Sequence, residues 1–266
     1  MGTGDVQVAT RAQVLYVLID RPAKRNALSR SVLAQLGTVF AAAADDDSLL
    51  AAVLRGAGEK SFAAGGDLAD LASVRSLAEA TEMSLQAKAA LEAIRQFPLP
   101  VIAALNGDAL GGGAELAVAC DFRIFAAHAR IGFIQGRLKI TTAWGGGLDL
   151  AQLVGPARAM RLLSRSELLS GEDAMRIGLA DAVTGGDLAN DDLASDHLDQ
   201  AVSAFLKPML AQAPHVMRAF KALNLAQRRG AGRQELLDLE TRNFAAAWVH
   251  DDHWAATDGI LKKEKT

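Results

Sequence analysis

The chain has 266 residues, half of them hydrophobic and only 5% aromatic, with a formal net charge of −3. That length suits one large domain, or one domain plus a helical appendix, around an aliphatic, Ala-rich core. The charge balance and the lack of a long basic run give nucleic-acid binding no support, and Cys120 as the only cysteine excludes an intramolecular disulfide or a thiolate metal cluster.

In chain order, Val14 to Asp20 is predicted as a short apolar strand ended by Arg21-Pro22. Asn26 or Ser29 is placed to cap the next helix, which runs to about Ala44. Asp45-Asp46-Asp47-Ser48 reads as a turn and Leu49 to Arg55 as a buried strand, broken by Gly56-Ala57-Gly58. A Gly-rich stretch, Ser61 to Leu68, precedes a long helix from about Ser76 to Phe97. Pro98 and Pro100 bracket the entry to a strand at Val101–Leu105, and a Gly-opened helix follows, ending near Cys120. Phe122–Ala126 and Ala129–Phe133 read as two further strands. Gly145-Gly146-Gly147 opens another helix, ending near Gly155-Pro156, and Ser170-Gly171-Glu172-Asp173 resembles a capping box. After residue 187 only helical patterns occur, with breaks near Pro214 and Gly230. The expected organisation is a mixed α/β core over residues 1–190 and a helical region over 191–266.

Three consecutive glycines, Gly111 to Gly113, open an apolar helical segment that carries one carboxylate, Glu115, in its first turn. A helix start presents free N–H groups and partial positive charge, and glycines let a ligand oxygen reach them. Gly112 and Glu115, three apart, fall on one face, so an anion-stabilising donor and a proton-transfer group lie about one turn apart. The Gly-rich segments Ala63–Leu68 and Gly107–Glu115 each follow a strand at an interval suited to neighbouring strands. Two N–H groups converging from such loops on one oxygen form an oxyanion hole; tight packing by small residues explains the same spacing without chemistry. Other motifs fail. Gly56-Ala57-Gly58-Glu59-Lys60-Ser61 lacks the Gly-Lys step of a phosphate loop and the third glycine of a dinucleotide fingerprint, and no Gly-x-Ser-x-Gly elbow exists. His250 and His253 flank Asp251 and Asp252, a mixed cluster that reads as solvated rather than as a metal site.

Several segments together resemble the crotonase superfamily, the enoyl-CoA hydratase/isomerase family, over nearly the whole chain. They are Arg21-Pro22-x-x-x-Asn26-Ala27-Leu28, Phe62-Ala63-Ala64-Gly65-Gly66-Asp67-Leu68, and Pro100-Val101-Ile102-Ala103-Ala104 with Asn106-Gly107-x-Ala109-Leu110-Gly111-Gly112-Gly113-x-Glu115-Leu116. The resemblance implies a crotonase-like spiral of β-β-α units with a helical C-terminal trimerisation region. It places oxyanion donors at the backbone N–H of Gly66 and Gly112, holding the thioester oxygen of an acyl-CoA, and makes Glu115 one of two catalytic glutamates. It lays CoA along Lys24, Arg25 and Ala27 and along Ala64, Gly66, Asp67 and Leu68. No cofactor is implied beyond the CoA of the substrate, and no metal.

One departure matters. Where hydratases carry a second glutamate in Gly-x-Pro-Glu, this chain reads Gly132-Phe133-Ile134-Gln135. An amide orients water or a carbonyl but transfers no proton near neutral pH. Gln135 is therefore assigned to the site in a changed role, and three readings stay open: hydration or related lyase chemistry on an enoyl-CoA, decarboxylation of an alkylmalonyl-CoA, and a non-catalytic acyl-CoA-binding protein. Cys120-Asp121-Phe122-Arg123 and the Trp-Gly-Gly run resemble the ethylmalonyl-CoA decarboxylase branch, and Trp144 is placed to wall the acyl pocket. Trp248 and Trp254 are bulky for an exposed helix and fit a homotrimer or a dimer of trimers. Lys262, Lys263 and Lys265 read as a frayed basic tail, with contact to a CoA phosphate across the trimer interface as the alternative. Met1-Gly2-Thr3-Gly4-Asp5 shows no basic region followed by an apolar run, and no apolar run reaches membrane-spanning length, so a cytoplasmic protein with no membrane partner is expected.

Overall fold

A two-residue turn, Ala12-Gln13, opens the architecture. Both residues hold positive φ (46° and 66°), the backbone a tight right-twisted hairpin requires. It joins β1 (Val6–Arg11) to β2 (Val14–Ile19) in antiparallel register, Val6 opposite Ile19. The computed structural model describes residues 4–184 and 194–263.

From β2 the chain passes to α1 (Arg30–Ala43) and then repeats one unit. Two strands are followed by a helix in β3 (Ala51–Gly56), β4 (Ser61–Ala63) and α2 (Leu77–Arg95). The same order recurs in β5 (Val101–Leu105), β6 (Asp108–Leu110) and α3 (Gly112–Ala119), and in β7 (Phe122–Phe125), β8 (Arg130–Gly132) and α4 (Gly146–Val154). The first strand of each unit joins one parallel run, β2-β3-β5-β7, and the second joins another, β4-β6-β8. Thus α5 (Pro156–Arg165), β9 (Leu168–Ser170), α6 (Gly171–Arg176) and β10 (Ala182–Val183) complete a six-stranded sheet, β1-β2-β3-β5-β7-β10, and a four-stranded sheet, β4-β6-β8-β9. This is the mixed α/β spiral expected from the family resemblance. β5 is buried at every residue, and β3 at all but Arg55, which accounts for their continuous apolar runs.

Two buried asparagines shape the crossings between sheets. Asn26 Nδ2 donates to the carbonyls of Ala57 (3.0 Å) and Ser61 (2.6 Å), and Asn106 Oδ1 accepts from Gly56 N–H at 3.0 Å. Asn26 is therefore no helix cap. It sits in the left-handed region (φ 56°), and Ser29 caps α1 through Val32 N–H. The strand expected from Leu49 begins at Ala51, and the helix expected to reach Phe97 ends at Arg95. The Ser170 side chain caps α6 by accepting from Asp173 N–H.

Beyond β10 the described elements are α7 (Ala194–Leu210), α8 (Pro214–Arg228), α9 (Arg233–Trp248) and α10 (Asp251–Lys263). The expected division at 190/191 falls on residues 185–193, outside the described part, as do Gly2, Lys265 and the side chains of Lys262 and Lys263. No helix of the described residues is long and apolar enough to cross a membrane. α9 buries none of its residues, and Phe244, Trp248 and Trp254 are exposed.

Candidate active site

The two Gly-rich loops leave adjacent strands of the four-stranded sheet, β4 and β6. Their meeting is tight. A side-chain carbon on Gly113 would lie 2.0 Å from the Ala63 carbonyl oxygen, and one on Gly65 would stand 3.5 Å from the Gly112 nitrogen. The chain after β4 is aligned on Leu28. Leu28 N–H donates to Gly65 O, and Asp67 N–H donates back to Leu28 O. Those two bonds bracket Gly66 and turn its own N–H away from Leu28. Gly112 is the first residue of α3, after Gly111 (φ 55°), so its N–H has no partner within the helix. Among the described residues neither N–H donates to a protein group.

Trp144 closes this corner. Its ring lies where a side chain on Gly112 would fall, 2.2 Å from Cζ3, and within 3.9 Å of a side-chain carbon on Gly66. Next to it, an apolar cavity of about 520 Å3 opens between α1 and α2, lined by Leu28, Leu33, Leu71, Met83, Ala90 and Trp144.

Glu115 is buried in α3 and all its lone-pair directions are taken. Oε2 accepts from Trp144 N–H (2.8 Å) and Gly146 N–H (3.0 Å), and Oε1 accepts from Gln135 Nε2 (2.9 Å) and, at longer range, Ala143 N–H (3.4 Å). Burial pushes its pKa above the ordinary carboxylate value, and the four N–H donors oppose that rise without cancelling it. Gln135 is also buried. The proximity of Glu115 fixes the orientation of its amide, because the reverse would set two acceptors together. Its Oε1 is left without a donor among the described residues. The pair thus offers one carboxyl group and one open acceptor.

The first-signature turn packs beside these loops. Ala64 N–H donates to Arg25 O (3.1 Å), which brings Lys24, Arg25 and Ala27 next to Ala64, Gly66, Asp67 and Leu68. Lys24 and Leu68 are exposed, with the Lys24 ammonium 3.6 Å from Asp67. Arg21, which opens the first motif but was given no role from the sequence, pairs with Asp67 at 2.9 Å, and its guanidinium also donates to Ala27 O. The Arg21 hydrogen bond holds the Asp67 carboxyl below its usual range. The donors at Trp144 and Gly146 were also missed; the only sequence signal was a second glycine run at a helix start. The histidine cluster is rearranged. His250 stacks on His215 at 3.9 Å, with Asp252 3.4 Å from the His250 ring nitrogen, whereas His253 packs on Trp248 and Trp254.

The family model for enoyl-CoA hydratase/isomerase matches residues 9–266. A crotonyl-CoA hydratase of Syntrophomonas wolfei is 40% identical over 170 residues, covering 64% of this chain and 64% of that enzyme, slightly under two thirds of its length. A 2,3-dehydroadipyl-CoA hydratase of Escherichia coli is 32% identical over 256 residues, covering 96% of this chain and 95% of that one. The crystal structure of an enoyl-CoA hydratase from Bacillus anthracis superposes with a TM-score of 0.87 at 26% identity, covering 98% of this chain and 97% of that chain.

Proposed function

We propose, from the premise that the chain belongs to the enoyl-CoA hydratase/isomerase family, that it adds water across the double bond of an enoyl-CoA. The observation that carries this reading is Glu115, buried and paired with Gln135, beside two glycine N–H groups that have no protein partner.

In this reading Gly66 and Gly112 N–H hold the thioester oxygen as it becomes enolate-like, each donor worth about 3–4 kcal/mol of barrier. Gln135 Oε1 accepts a hydrogen from the attacking water. The water oxygen bonds to the β-carbon and its proton passes to Glu115, displacing the long Ala143 contact. The same carboxyl then returns that proton to the α-carbon as the enolate collapses, so one acid–base group serves both halves of the addition. The acyl chain lies against Trp144, next to the cavity between α1 and α2. CoA runs along Lys24, Arg25 and Ala27 and along Ala64, Asp67 and Leu68. The exposed aromatic residues of α9 and α10 support self-association, read as a homotrimer or a dimer of trimers, and light scattering of the purified chain tests the assembly.

One observation favours a second reading. Gln135 is neutral where the family resemblance implies a carboxylate, so it repels a substrate carboxylate less than a glutamate would. Loss of CO2 from an alkylmalonyl-CoA would leave the same enolate, with Glu115 delivering a proton to the α-carbon. Turnover of crotonyl-CoA, followed by loss of enoyl-thioester absorbance, is compared with CO2 release from ethylmalonyl-CoA. Hydration of crotonyl-CoA supports the first reading, CO2 release alone supports the second, and turnover of neither leaves an acyl-CoA-binding protein.

A further inference from the structure

A run of alternating charges crosses the interior from α2 to α8. Arg95, at the end of α2, donates through Nε to Asp149 Oδ2 at 2.9 Å and through Nη2 to the Trp144 carbonyl at 2.9 Å. The other oxygen of Asp149 accepts from Arg228 Nη2 at 2.9 Å. Arg228 also stands 3.7 Å from Asp121, which pairs with the buried Lys221. Lys221 and Arg228 both belong to α8, so that helix is fixed to the core through two carboxylates.

The Arg95 end of this run meets the Glu115 carboxyl through one short segment. Trp144 gives its carbonyl to Arg95 and its N–H to Glu115, and Gly146 gives a second N–H to Glu115. Between them the guanidinium packs against Gly145 (φ 90°), where a side-chain carbon would meet Nη2 at 2.9 Å. Residues 144–146 are therefore gripped on one side by a buried cation and on the other by the carboxylate. An apolar side chain at position 95 would fill the volume, but nothing would then hold the Trp144 carbonyl.

We propose that Arg95 is a positioning residue for the Glu115 carboxyl, and that the Asp149–Arg228 link makes this positioning depend on the docking of α8. The inference rests on the reading above that Glu115 moves the proton. Without Arg95 the segment relaxes and its N–H groups withdraw. The carboxyl stays buried but loses the donors that favour its charged form, so it binds its proton more tightly.

The test follows the Glu115 carboxyl directly, by infrared difference spectra of the full chain against pH, with E115Q as the blank. In R95M the Glu115 midpoint is expected to rise by about one pH unit or more. Over the same change, kcat for crotonyl-CoA is expected to fall about tenfold, with KM within about twofold. R95K should recover part of both effects, and R228M should move the midpoint in the same direction by less. A folded R95M chain with an unmoved midpoint overturns the proposal and leaves the network a purely structural clamp. If R95M does not fold, R95K against wild type decides by the same midpoint. A wild-type chain that turns over no acyl-CoA overturns the functional reading instead, while the midpoint still decides this one.

Discussion

Gly146→Ala adds a methyl group and removes no functional atom. That carbon would lie 2.4 Å from Cγ of Glu115, 2.5 Å from its Cβ and 2.7 Å from its Cα. The Cα and Cβ are fixed by α3, so the Glu115 side chain cannot swing clear. The start of α4 must instead retreat by about 1 Å to reach ordinary carbon–carbon contact. The retreat stretches the 3.0 Å bond from Gly146 N–H and drags the Trp144 N–H with it. Overpacking of this kind costs about 1–3 kcal/mol of stability. Loss of one N–H donor to a charged acceptor is worth about 1.5–3 kcal/mol, so turnover is expected to fall about ten- to a hundredfold. The assay is steady-state turnover of crotonyl-CoA alongside thermal melting. Gly232→Ala serves as the control, because its added carbon meets nothing within 4 Å. A folded G146A chain that keeps turnover within about twofold of wild type would refute the claim that the α4 start sets Glu115 reactivity.

Three further outcomes are expected. E115Q should lower turnover by about 10²–10⁴-fold. It should also change how stability depends on pH, because burial raises the folded-state pKa of Glu115 above its ordinary value of 4.5. Between 4.5 and that raised value the folded chain binds the proton more tightly than the unfolded chain, so unfolding releases it and stability falls as pH rises through this window, levelling off above it. Melting curves of E115Q should lack that slope, and parallel profiles for both chains would contradict it. Gln135→Glu sets two carboxyls at the 2.9 Å separation now spanned by the hydrogen bond that the Gln135 amide donates to Glu115. One of them then stays protonated near neutral pH; melting should show about 1–3 kcal/mol lower stability at alkaline than at mildly acidic pH. Crotonyl-CoA turnover should rise with the second acid in place, and a fall would count against position 135 standing where a second acid can act on the attacking water. Cys120, its thiol pushed up to about 12 by burial, should resist an aromatic disulfide reagent in the native chain and react only on unfolding.

Much of the β-β-α order was legible because its long elements carry strong patterns. The buried strands β3 and β5 are apolar runs between breakers, and α2 begins at a Ser76–Glu79 capping box. The short second strands, β4 and β6, were not legible, since three residues between glycines hold no periodicity. β1 was missed because only Val6 of its six residues is buried, so its alternation carries no apolar face. Asn26 was ambiguous for a physical reason: the side chain that favours a cap also tolerates the left-handed backbone, and long-range partners at Ala57 and Ser61 decided between them. At the candidate site, Gly66 and Gln135 were placed by the family resemblance, whereas Gly112 and Glu115 stood out through residue type and spacing. The carboxyl's other donors did not, because backbone N–H groups leave no mark in a sequence. Arg95 and Asp149 lie 54 positions apart, and nothing local tells an interior guanidinium from a solvated one.

The close seating of Gly113 on the Ala63 carbonyl has a consequence for how such a chain tolerates change. At that contact Gly113 faces the Ala63 carbonyl, and a side chain on Gly113 is refused on steric grounds. Drift elsewhere in the sequence can recolour the walls of the corner, replace Trp144 or reshape the space between α1 and α2. The spacing of the two loops is inherited with the scaffold, not chosen anew by each substitution.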